Sequence, residues 1–117
     1  FIENNIDKPW KIRKLPNSVQ LSSTNGIIVS DFNNDNNLDI ALSGNMFGSE
    51  VETPRNDAGN GNVLLGDGLG NFNTLSINES GFYTPGDVKG INKIIIEGVL
   101  HLAIINNNDV LQFFKFN

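Results

Sequence analysis

Along the chain the hydrophobic positions fall into short runs, at 10–13, 19–22, 27–30, 38–43, 63–66, 72–77, 94–96, 99–105 and 110–116, separated by clusters of Asn, Gly and Asp. No window sustains the i, i+3, i+4 spacing of an amphipathic helix, whereas each run has the length of a strand. The pattern predicts an all-β chain without helices. Val99, Leu100, Leu102, Ala103, Ile104 and Ile105 are almost continuously apolar, which predicts a strand buried on both faces.

The chain also resembles itself. Leu38-Asp39-Ile40-Ala41-Leu42-Ser43-Gly44-Asn45 matches Leu100-His101-Leu102-Ala103-Ile104-Ile105-Asn106-Asn107 at an offset of 62 residues. Upstream, Ile27-Ile28-Val29 answers Ile94-Ile95-Ile96, and downstream Val63-Leu64-Leu65 answers Val110-Leu111-Gln112. The copies differ in their connections. The first joins its opening strands by the loop 31–39 and carries a long insertion at 46–62; the second has only Glu97-Gly98, suited to a primed hairpin turn, and the short link 106–109.

A repeat of this length with about four antiparallel strands is the unit of a β-propeller, although two sandwich hairpins share the pattern. The expectation is about two blades of an incomplete propeller. Residues 1–25 would be an outer strand of a preceding blade and a linker, 26–78 a full blade, and 79–117 a degenerate second blade. The chain opens on Phe1 rather than Met, which suggests a processed start or a cut in a longer reading frame.

Composition narrows the chemistry. Asn supplies 20 of the 117 residues and Gly 12, which is turn and strand material. Cysteine is absent, which removes disulfides and thiolate metal sites. Thirteen acids against 8 Lys and Arg give a net charge of -5 and a pI near 4.6. That balance argues against a nucleic-acid surface and favours a cation as the charged partner. No apolar run approaches the roughly 18 residues of a membrane span.

The loop Asp31-Phe32-Asn33-Asn34-Asp35-Asn36-Asn37-Leu38-Asp39 is the one segment with a chemical pattern. Side-chain oxygens stand at positions 1, 3, 5 and 9, and Asn37 offers a backbone carbonyl at position 7. Calcium takes six to eight oxygens from such a curved loop, and magnesium asks for stricter octahedral geometry. Asn36 stands where an EF-hand loop has Gly, and Asn tolerates the left-handed conformation. The competing reading is an Asn/Asp-rich hairpin whose side chains cap their own backbone.

This loop followed by Ile40-Ala41-Leu42, and then by Leu64-Leu65-Gly66-Asp67-Gly68-Leu69-Gly70-Asn71-Phe72, resembles the FG-GAP/VCBS repeat, the calcium-loop blade of integrin-like β-propellers. The run 48–59, Ser80-Gly81-Phe82, Pro85-Gly86-Asp87-Val88-Lys89 and Asn107-Asn108-Asp109-Val110-Leu111-Gln112-Phe113-Phe114 are similar to the last blades of bacterial exported VCBS-repeat proteins, some of which carry an ASPIC/UnbV domain. The resemblance implies calcium held by the side chains of Asp31, Asn33, Asp35 and Asp39 and the carbonyl of Asn37. It also implies an extracellular or cell-surface location. The second copy lacks the loop and has His101 in place of Asp39, so no calcium is expected there.

Other motifs are weaker. Gly66-Asp67-Gly68-Leu69-Gly70 has neither the helix nor the Lys of a phosphate loop and reads as a hairpin turn. Glu50, Glu52, Arg55 and Asp57 could mimic a glycosidase acid pair with an arginine clamp; a self-capped loop is the simpler account, and long insertions on rigid scaffolds are also where partners bind. His101, the sole histidine, lies in an apolar strand and suggests no catalytic triad. Trp10 with Lys11, Arg13 and Lys14 reads as a solvated outer strand rather than a sugar or nucleic-acid patch. Asn78-Glu79-Ser80 matches a glycosylation sequon.

The sequence therefore predicts a calcium-binding module without catalytic activity that contacts protein or glycan through the propeller face. Two alternatives are an accessory blade of a polysaccharide-acting enzyme and an inactive fragment. Unpaired sheet edges would favour self-association.

Overall fold

The structure, a computed structural model, describes residues 1–116, apart from the Asn5 side chain. The chain is all-β with antiparallel sheets. Strands β1 (Ile2–Asn5) and β2 (Lys8–Ile12) form a hairpin. Strands β3 (Gly26–Ser30), β4 (Asp39–Ser43), β5 (Asn62–Gly66) and β6 (Phe72–Leu75) form a four-stranded meander. A three-stranded meander follows, of β7 (Val88–Ile96), β8 (Val99–Asn106) and β9 (Gln112–Lys115).

Three expectations are corrected. Residues 19–22 do not form a strand: Asn17–Gln20 is a 3₁₀ turn in which Val19 N–H donates to the Pro16 carbonyl at 3.2 Å. Pro16, at φ −51°, presets that turn. A helix does occur, the single turn α1 (Ile77–Ser80). Ser76 caps it, Glu79 returns the bond to the Ser76 amide, and Gly81 closes it at φ 65°. A capping box needs only Ser-x-x-Glu, so it acts over a span too short for hydrophobic periodicity.

The third correction concerns β8. Leu102 and Ile104 are fully buried, yet Ile105 is 39% exposed, so only one face is covered. That inner face packs on the first meander. Ala41 of β4 and Val63 of β5 meet Leu102 and Ile104 of β8 with Val88 and Ile91 of β7, and Phe32 and Phe82 complete the core. The outer face of the second meander carries Phe113, 51% exposed.

Aromatic pairs extend this core, with Phe32 reaching in from the 31–39 loop and Phe82 from the segment before β7. Phe32 stacks on Phe116 with ring centroids 4.5 Å apart, and Phe82 meets Phe114 edge-on at 4.8 Å. Strand β3 lies against β7 closely enough that a Cβ on Gly26 would sit 2.7 Å from Ile91 Cγ1 and 2.8 Å from its amide nitrogen. Glycine is required there by backbone approach. On the opposite face of the first meander, Leu42 and Leu64 are buried, and Leu42 shares a cleft with Leu15 and Val19.

The β7–β8 hairpin is long and tight. Its register runs from Ile96 opposite Val99 to Val88 opposite Asn106, with an irregularity between Val88 and Gly90. Glu97 and Gly98 turn it with φ of 51° and 78°, the double positive φ of the primed turn expected from the sequence.

Candidate functional site

The connection between β3 and β4 curls because two of its residues, Asn34 at φ 61° and Asn36 at φ 67°, adopt the left-handed conformation. Asn accepts that conformation more readily than most residues with a Cβ. The bend brings side-chain oxygens back onto the loop's own amides. Asp35 N–H donates to Asp31 Oδ1 at 3.2 Å and to Asn33 Oδ1 at 3.1 Å. Asn36 N–H donates to Asp31 Oδ2 at 2.9 Å, and Asn37 N–H to Asp35 Oδ1 at 2.7 Å.

Asp31 and Asn33 oxygens thus converge on one amide, and Asn33 Nδ2 donates to Asp35 Oδ2 at 2.9 Å. That carboxamide bond, followed by the Asn37 amide, holds the Asp35 carboxyl below the usual carboxylate range. Each carboxylate oxygen has about two acceptor positions, and these bonds use only part of them. The Asp31, Asn33 and Asp35 oxygens therefore keep open acceptor positions at the loop's rim, where Asn33 and Asp35 are exposed.

Asp39 is placed differently. It is fully buried; its Oδ2 accepts from Phe32 N–H at 2.8 Å and its Oδ1 from Gly66 N–H at 2.9 Å. Its carboxylate fastens the root of the loop to the end of β5. Asn37 also reaches across, its side-chain oxygen lying 2.5 Å from where a Cβ on Gly68 would stand. Among the described residues no three acidic, His or Cys side chains gather into one metal-holding group. Asp39 is turned inward, which leaves Asp31 and Asp35 as the carboxylates at the rim of the loop.

In the 46–62 insertion, Arg55 Nε pairs with Asp57 Oδ2 at 3.0 Å, and the guanidinium lies 4.1 Å above the Phe47 ring. Both are exposed-loop interactions. Glu50 and Glu52 are exposed and stand apart from that pair, with the Glu50 carbonyl accepting from Thr53 N–H at 2.9 Å. The arginine therefore clamps its own loop. Across the neighbouring hairpin, Asp67 is capped by Asn71 Nδ2 at 2.6 Å and by the amides of Asn71 and Leu69, which hold its carboxyl low in that order.

Sequence reasoning missed a buried polar hub. Asn45, fully buried, donates through Nδ2 to the carbonyls of Gly59, Pro85 and Gly86 at 2.8, 3.1 and 3.0 Å. Its Oδ1 accepts from Ser22 Oγ at 2.7 Å and from Gly59 N–H at 2.9 Å. One side chain joins the end of β4, the insertion, the segment before β3 and the strap before β7. Beside it, Asp87 is bonded by Lys89 Nζ at 2.7 Å, Asn107 Nδ2 at 3.1 Å and Phe47 N–H at 3.4 Å. Ser43 and Thr84 share a buried hydroxyl pair at 2.5 Å, and Thr84 N–H donates to the Asn60 carbonyl at 2.9 Å.

His101 Nδ1 lies 3.0 Å from the Val99 carbonyl within its own strand. Trp10 is 69% exposed on β2, and Arg13 pairs with Glu3 at 2.7 Å. No helix among the described residues is long and apolar enough to cross a membrane. Compared with protein-family models, curated proteins and solved structures, the chain matches none.

Proposed function

We propose that the chain is a calcium-dependent binding module built of two propeller-type blades, β3–β6 and β7–β9, from an exported or surface-attached protein. Asp31, Asn33 and Asp35 hold the cation with the Asn37 carbonyl, and Asp39 anchors the loop from inside. The observation that carries this reading is the convergence of Asp31 and Asn33 oxygens on the Asp35 amide, with the Asp35 carboxylate beside them. Calcium would offset the negative charge of two neighbouring carboxylates. The role of the site is structural, since the loop joins the two strands that begin a blade.

In this reading the repeat in the sequence corresponds to the two meanders. The pairing suggests a correspondence three residues away from the one that apolarity alone picks out: Ile27 faces Leu42 as Ile91, rather than Ile94, faces Ile104. The insertion 46–62, held by Asn45 and stiffened by Arg55, is the partner-contacting loop, with Glu50 and Glu52 presented to a protein or glycan.

Thermal unfolding with EDTA and with millimolar calcium tests the reading. Calcium at about ten times its Kd stabilises by about 1.4 kcal/mol, roughly 5–10 °C in a domain of this size. The rise is expected to vanish in Asp35→Ala. A folded wild-type chain whose Tm ignores calcium would overturn the assignment.

A further inference from the structure

Three peptide steps in the chain place an Asn or Asp directly before Gly: Asn25-Gly26, Asn60-Gly61 and Asp67-Gly68. Such steps are the usual places for succinimide formation, because a following Gly has no Cβ to hinder attack by its own backbone nitrogen. The three sit in very different surroundings.

Asn25 is pinned. Its Nδ2 donates to the carbonyls of Asn45 at 2.9 Å and Val88 at 2.7 Å, and Gly26 is locked in β3 against Ile91. Asp67 is held as a carboxylate by Asn71 and Leu69, and an ionised carboxylate is a poor electrophile. Asn60 is exposed, and its carboxamide meets no hydrogen-bond partner among the described residues. Gly61 lies outside β5 at φ 80°.

We propose that Asn60-Gly61 is a site of spontaneous deamidation, and that its isoaspartyl product releases the Thr84 amide, in the strap before β7, from its bond to the insertion. The Gly61 nitrogen attacks Cγ of Asn60, the new N–Cγ bond forms, and the carboxamide nitrogen leaves as ammonia. Water then opens the succinimide: attack at Cγ gives aspartate, and attack at the former main-chain carbonyl gives isoaspartate. In the isoaspartyl product the main chain runs through Cβ and Cγ, and the old Asn60 carbonyl becomes a pendant carboxylate. That carbonyl is the acceptor for Thr84 N–H at 2.9 Å, and Thr84 is fully buried. The fold cannot shed the hazard by changing Gly61, because a Cβ there would collide with Thr84 Oγ1 and sit 2.9 Å from Phe82 Cε1.

The test ages the folded chain, and in parallel the chain in denaturant, in mildly alkaline buffer, with peptide mapping by mass spectrometry and an isoaspartyl methyl-transfer assay. In the folded chain the Asn60 peptide should gain about 1 Da, with an isoaspartyl component, at least about tenfold faster than the Asn25 peptide, since freeing Asn25 costs two hydrogen bonds. In denaturant the two Asn steps should convert at similar rates. Equal rates in the folded chain, or an unchanged Asn60, would overturn the site assignment. Hydrogen exchange on the purified isoaspartyl form tests the second half: the Thr84 amide should exchange roughly tenfold faster, and an unchanged rate would remove the proposed release. Asn60→Gln, which cannot form the five-membered ring, should stay unmodified and keep the slow Thr84 exchange.

Discussion

At the scale of single residues, charge is used mainly to receive hydrogen bonds. Asp87 shows the consequence for pH. Lys89 foremost, then Asn107 and the Phe47 amide, lower its carboxyl against an opposing effect of burial. A carboxyl lowered by folding adds stability that is complete above its unfolded pKa and is lost as pH falls through the folded value. Melting temperature should therefore fall on acidification below the usual carboxylate range, and Asp87→Asn should make that fall shallower, as a thermal scan across acidic buffers would register. Asp35, Asp67 and Glu79 are lowered in the same direction, so the variant removes one of several contributions. The alternation of oxygens in the 31–39 loop was legible in the sequence because its period is local. The inward turn of Asp39 was not, since its partner Gly66 stands 27 positions away. Asn45 was equally hidden: among many asparagines, only tertiary adjacency selects the one that is surrounded by carbonyls.

At the scale of elements, the two faces of the β7–β9 sheet are energetically unequal. Leu102→Ala removes a fully buried side chain beneath Ala41 and Val63 and should cost about 2–5 kcal/mol. Phe113→Ala trims a half-exposed ring on the other face and should cost about 1 kcal/mol or less. Urea unfolding of the two variants makes the comparison, and similar losses would contradict a sheet covered on one side. Strand existence was readable from short apolar runs and Asn-Gly punctuation, but strand length was not. β7 extends back to Val88 through Lys89, Asn92 and Lys93, whose exposed positions interrupt the apolar pattern. β1 was missed for a similar reason, because Ile2-Glu3-Asn4-Asn5 has a single apolar residue and, among the described residues, finds its strand partner in β2.

At the scale of the molecule, the two meanders meet through an apolar seam and a polar clasp. The seam is the core around Leu102, Ile104, Ala41 and Val63; the clasp is Asn45 with Asn25, whose Nδ2 spans the carbonyls of Asn45 and Val88. Asn45→Ala leaves Gly59, Pro85 and Gly86 carbonyls without that donor and should cost about 2–4 kcal/mol. Hydrogen exchange should then rise together in the insertion and in the 84–87 strap; a rise in only one would mean that the side chain serves a single segment. The Glu97–Gly98 turn has a further consequence, one of timing. Its hairpin joins residues that are neighbours in sequence, and hairpins close within about 1–10 μs. The contact of Gly26 with Ile91 must instead gather a loop of more than half the chain, a step that topology makes slow. The second meander can thus zip first and serve as the template on which the first is laid down.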